Sequence, residues 1–184
     1  MKKKSISVHL KPYSIQRKRT TTINHAFASA IAPASEYVDA DLDAAIRMLG
    51  QDPNRDLICV YCGSAAETWD HLIGLVEKTQ LRGYGHQIGN LVPCCRACNS
   101  SKGAKDWESY LRSKSGLEQP HLDARVEAIR SYFCRYATAI DIEKLKMEYP
   151  EKWNEYWGLR QQIIALMEKA DQVATELRKV STRR

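Results

Sequence analysis

Two pairs of cysteines, Cys59-Val60-Tyr61-Cys62 and Cys95-Arg96-Ala97-Cys98, carry the spacing that most directly implies chemistry. Two intervening residues let both sulfurs of a pair approach one ion from a tight turn, and two such turns complete a tetrahedron. Gly63, directly after the first pair, suits that turn. The spacing predicts a Zn2+ site closed by four thiolates, with no open position for water and hence a structural role. A redox dithiol is the competing chemistry, but it needs one such pair opening a helix, not two. Cys94 adjoins Cys95 and competes with it as a ligand; its place in Leu91-Val92-Pro93-Cys94 is that of an apolar strand residue, predicted to be buried. Cys134 falls in a helical pattern and is expected in its core.

Between and after these pairs stand Thr68-Trp69-Asp70-His71-Leu72-Ile73, Gly89-Asn90-Leu91-Val92-Pro93 and Cys98-Asn99-Ser100-Ser101-Lys102-Gly103. Residues 57 to about 107 resemble the HNH endonuclease family, in the branch whose ββα core is stapled by zinc. The family's order is Asp-His on the first strand, Asn in the connecting loop, and His or Asn at the start of the helix. This chain reads His71, Asn90, Asn99, an H-N-N variant. The resemblance implies two antiparallel strands and a helix gripping a catalytic metal ion, with Asp70 and His71 both brought into the site.

The chemistry of phosphodiester hydrolysis fits those residue types. It needs an activated water, a cation for the charge developing on the phosphoryl oxygens, and in-line geometry. A neutral imidazole suits deprotonation of water near neutral pH, which makes His71 the candidate general base. Asp70 offers a carboxylate and Asn99 a carbonyl oxygen to Mg2+, with Mn2+ able to substitute. Asn99 in place of His argues against a catalytic zinc. Neighbouring residues of a strand point to opposite sides, so Asp70 and His71 need a strand end or bulge to act together. Asn90 is expected to hold the loop carrying His71 through backbone groups. Lys102 is expected either to reach a DNA phosphate or to be a solvated helix charge. His86, alone in a Gly-rich loop, is left out of the catalytic set.

The elements that must position these residues can be read in outline. Residues 1–22 form a basic arm and 23–55 an N-terminal helical region, with Ile23–Ala32 ending at Pro33 and a second helix from Asp39 to Leu49. Residues 56–112 hold the nuclease core, with β-prone runs at Leu57–Val60 and Leu91–Pro93 and a helix beginning at Asp106. Residues 113–184 are helical, from about Pro120 to Tyr136 and again from about Glu151 to Val180. In the last of these, Tyr156, Leu159, Ile163, Leu166, Ala170, Val173, Leu177 and Val180 repeat at spacings of three and four. That pattern serves a coiled-coil homodimer or a helix packed on its own domain. The expected class is α+β and mostly α: a small ββα-metal core with helices on both flanks.

Charge and composition narrow the partners. The net charge of +6 is carried by the ends: residues 1–20 hold seven Lys or Arg and residues 178–184 four, with no acid in either. Basic arms on a near-neutral body suit phosphate contacts, so double-stranded DNA is the expected partner. No apolar run approaches the roughly 20 residues that cross a bilayer, and none follows the opening Met1-Lys2-Lys3-Lys4, so a cytoplasmic protein without membrane contact is expected. The function implied is a metal-dependent DNA endonuclease of the type II restriction kind. The alternatives are a phage or homing HNH nicking enzyme and a non-catalytic zinc-stapled DNA-binding module. A redox or zinc-storage protein would not need Asp70, His71 and Asn99 in that order.

Overall fold

The computed structural model describes residues 3–8, 10–77, 80–114, 116 and 118–181. A 3-10 turn (Lys3–Val8) precedes α1 (Ile15–Ile31), α2 (Asp39–Met48), β1 (Thr68–His71), β2 (Val76–Glu77), β3 (Gln80–Leu81) and β4 (Leu91–Cys94). Five helices follow: α3 (Arg96–Lys102), α4 (Trp107–Lys114), α5 (Gln119–Tyr136), α6 (Ile142–Glu148) and α7 (Pro150–Ser181). The fold is α+β and mostly α. It divides into two compact units, Ala28–Lys144 and the combination of Met1–Phe27 with Leu145–Arg184.

The first of these units is built on the antiparallel pair β1–β4, in which Asp70 faces Val92 and His71 faces Leu91. Pro93 is tolerated in β4 because a two-stranded sheet leaves each strand an unpaired edge. Its carbonyl accepts from the Val60 amide at 3.0 Å, which ties the first cysteine knuckle to the sheet. Beneath lie Leu72, Val92, Leu111, Val126, Ile129 and Tyr132, all buried, so α4 and α5 supply the apolar mass that the short hairpin lacks. The buried face of α5 carries Leu122, Val126, Ile129 and Tyr132, which recur every three or four residues.

Leu57–Val60 does not become a strand. The Gln51 side chain takes both backbone groups of Ile58, accepting from its amide at 2.8 Å and donating to its carbonyl at 3.0 Å. The chain then folds back through Gly63, at φ 76°, so that the Cys59 amide reaches the Ser64 carbonyl at 2.7 Å. A metal knuckle competes with a ladder for the same backbone, and here the knuckle wins. The short hairpin β2–β3 and the helix α6 were not foreseen. Cys134, expected in a helix core, is exposed on α5.

The other unit joins Ile15–Phe27 of α1 to α7. Phe27, Asn24 and Ser14 meet Tyr156, Arg160 and Asp171 in turn, so the two segments run antiparallel. The basic arm, whose sequence shows little helical periodicity, is helical from Ile15, and its cations Arg17, Lys18 and Arg19 lie exposed on α1. Ser14 caps the helix by accepting from the Arg17 amide at 3.1 Å, a start signal that basic composition hides. Of the apolar series on α7, Tyr156 is partly buried, whereas Leu159, Leu166, Val173, Leu177 and Val180 are exposed. Met1, Lys2, Arg183 and Arg184 of the basic ends lie outside the described residues.

Candidate functional site

The two cysteine pairs come together. The sulfurs of Cys59, Cys62, Cys95 and Cys98 all lie within 4.8 Å of one another. Four sulfurs at about 2.3 Å from one zinc stand about 3.8 Å apart, so the cluster fits a tetrahedral ion. Cys62 and Cys95 are already 3.7 Å apart. Cys95 also starts α3, its sulfur accepting from the Cys98 amide at 3.4 Å, so one turn serves both as knuckle and as helix cap. Desolvation opposes ionisation of Cys62, but hydrogen bonds with Ser64 outweigh it and draw the thiol down to about 6. Cys94 is fully buried and stays outside this set of four; burial pushes its thiol up, and its sulfur donates to the Cys95 carbonyl at 3.3 Å.

Asp70 and His71 leave β1 in different directions. Asp70 turns toward α3 and is 6% exposed. Its Oδ2 accepts from the Tyr61 hydroxyl at 2.8 Å and lies 3.1 Å from the Lys102 ammonium. Lys102 is only 2% exposed, and its Nζ also donates to the His71 carbonyl at 2.8 Å. Neither of the roles expected for Lys102 is available to a buried cation: it is neither a surface phosphate contact nor a solvated charge. The aliphatic stem of a residue three positions after Asn99 reaches inward from α3, and the Asp70 carboxylate compensates the desolvated charge. Burial raises the pKa of Asp70, against the pull of Lys102 and Tyr61.

Asn99, in the first turns of α3, directs its amide at the Trp69 carbonyl, at a long 3.5 Å. Asp70 and Asn99 stand on β1 and α3, two elements in contact, and both side chains carry oxygen donors of the kind a hard divalent cation takes. On donor type they fit Mg2+. The fit has a cost, because a cation at the carboxylate meets the Lys102 charge, and Oδ2 is already engaged.

Asn90 is fully buried. Its Oδ1 accepts from the Ile73 amide at 2.8 Å, and its Nδ2 donates to the carbonyls of Ile73 at 3.1 Å and Gly85 at 2.9 Å. One amide therefore ties the segment after His71 to the loop before His86. That loop brings in a residue the sequence reading set aside: His86 Nδ1 lies 3.1 Å from His71 Nε2. The only signal for it in the sequence was its place four residues before Asn90, in a loop whose glycines hide any period.

A cleft of about 220 Å3 opens beside these elements, lined by Leu72, Ile73, Arg82, Lys102, Lys105 and their neighbours. Among the described residues no helix is long and apolar enough to cross a membrane.

Residues 59–105 match the family model described as HNH endonuclease. No curated protein and no solved structure matches the chain. The matched segment contains all four clustered cysteines together with Asp70, His71, Asn90 and Asn99, and the cluster fits the zinc-stapled branch of that family. The match supports nuclease activity in general, with DNA as the partner on which HNH nucleases act.

Proposed function

We propose that this protein is a metal-dependent DNA endonuclease in which His71 takes a proton from the attacking water. The observation that carries the reading is the Asn90 clamp. This fully buried amide directs all three of its side-chain hydrogen bonds to backbone near His71 and His86, more than packing alone requires. Asp70 and Asn99 would hold Mg2+ or Mn2+, which would polarise the phosphoryl group and neutralise charge on the leaving oxygen. Tyr61 and Lys102 fix the Asp70 carboxylate, so its orientation is set before any cation arrives. The four thiolates would bind structural Zn2+ and hold α3 against the hairpin.

The biological role we propose is restriction-type defence in the cytoplasm. One HNH core cuts one strand, so cutting both requires two copies or two visits. The uncovered apolar positions of α7 would supply a two-fold dimer matched to a palindromic target. Exposed Arg17, Lys18 and Arg19 of α1 would add phosphate contacts. A non-catalytic zinc-stapled DNA-binding module is the second reading, favoured by the commitment of Asp70 to Lys102.

The test is incubation of the purified protein and its His71→Ala variant with varied plasmid DNAs and Mg2+, followed by mapping of fragment ends. Loss of cleavage by about 10²–10⁴-fold with DNA binding retained is expected for removal of a general base. Equal cleavage by the two proteins would remove His71 from the mechanism, and binding without cleavage by the unaltered protein would favour the second reading.

A further inference from the structure

We infer that His86 is a positioning residue of the active site, holding the His71 ring in one orientation and one tautomer. The inference rests on the reading of His71 as the base. The rings stand with centroids 5.0 Å apart and planes at 66°, and their facing nitrogens are 3.1 Å apart. That is the length of an N–H···N hydrogen bond. A hydrogen bond on this axis needs one ring nitrogen to donate and the other to accept. With Nε2–H of His71 donating to Nδ1 of His86, the His71 lone pair is fixed on Nδ1, the atom that would receive the proton of water.

The fold holds His86 more firmly than a surface histidine requires. Its carbonyl accepts from the Ser35 amide at 3.2 Å, and it forms a parallel bridge with Ala34. Before it, Gly85 lies so close to the preceding chain that a Cβ there would collide with the Pro33 carbonyl oxygen. The Gly85 carbonyl is bound by Asn90 at 2.9 Å, and Asn90 also binds Ile73, two residues past His71. Both imidazoles are therefore carried on backbone segments fixed by one buried amide. This is how a ring-to-ring distance is set in advance rather than left to side-chain chance.

A group that orients a catalytic imidazole acts on turnover more than on substrate binding, and its removal costs about 10–100-fold. His86→Ala should therefore lower kcat by about 10–100-fold with KM for plasmid DNA nearly unchanged. His86→Asn, whose carboxamide oxygen can accept from His71 where the imidazole nitrogen did, should recover most of the loss. Long-range proton–nitrogen NMR of the ring gives a readout independent of activity. His71 should show one tautomer in the unaltered protein and a mixture in His86→Ala. Unchanged zinc content and circular dichroism serve as the folding control. If His86→Ala keeps full kcat and the single tautomer, the inference is overturned while His71 stays the base. If His71→Ala also cleaves normally, the nuclease reading falls and takes the inference with it.

Discussion

Lys102 and Asp70 form an ion pair of 3.1 Å within the hairpin–helix core, each almost wholly removed from water. The pair joins α3 to β1, the two elements that carry Asn99 and His71. Removing one partner of a buried pair leaves the other charge uncompensated, at a cost of about 3–5 kcal/mol. Lys102→Met should therefore lower stability in urea denaturation by about that amount. A surface phosphate contact would instead give weaker DNA binding at unchanged stability. Adding Asp70→Asn to Lys102→Met should restore part of the stability, since the stranded charge is then gone.

The four-thiol clamp makes a separate prediction. Because a structural zinc contributes its binding energy to folding, Cys59→Ser should lose zinc and unfold the segment from Cys59 to Lys105. Cys94→Ala, fully buried but outside the cluster, should keep one zinc per chain and lose packing together with the hydrogen bond to the Cys95 carbonyl. Metal analysis and near-ultraviolet circular dichroism distinguish the two. A zinc-free Cys94→Ala would mean that the fifth thiol is a ligand after all.

The sequence was legible where a period or a spacing survives locally. Helix α5 and helix α7 follow from apolar spacing and from Pro120 and Pro150 near their starts, and the cysteine cluster follows from two identical intervals. Side-chain direction was not legible. Nothing in Asn99-Ser100-Ser101-Lys102 says that the lysine turns inward, because its stem is apolar and only a carboxylate from another element decides the matter. His86 was missed for a related reason: its partner is 15 residues away, across a glycine-rich loop that carries no period. Leu57–Val60 has the composition of a strand, yet Gln51 and the knuckle take its backbone. Long-range polar contacts overrode local propensity at each of these places.

The proposed dimer is tested by its own surface. Leu166 and Leu177 are each 65% exposed on α7. In a two-stranded coil these positions would bury apolar area worth about 25 cal/mol per Å2. Leu166→Glu with Leu177→Glu should convert a dimer to a monomer in light scattering after size exclusion, with zinc content unchanged. A monomeric mass for the unaltered protein across a wide concentration range would sink the two-fold arrangement and leave the chemistry of the core untouched.

Asp171 of α7 caps α1 from 156 residues away. Its carboxylate accepts from the Ile15 amide at 2.7 Å, the Ser14 hydroxyl at 2.7 Å and the Gln16 amide at 3.1 Å. The Ile15 amide is the largest cause, with Ser14 next, of a pKa held below the usual carboxylate value. An acid whose folded pKa is depressed contributes stability above its unfolded pKa, near 3.9, and that contribution is lost as pH falls through the folded value. Asp171→Ala should therefore melt at a lower temperature than the unaltered protein near neutral pH. The gap between the two should narrow as the pH falls from about 4 through the lower folded value, beneath which both proteins lack the charge. Helix content followed by circular dichroism across that range measures it; a gap that stays constant in acid would mean that the carboxylate charge does not hold the helix start.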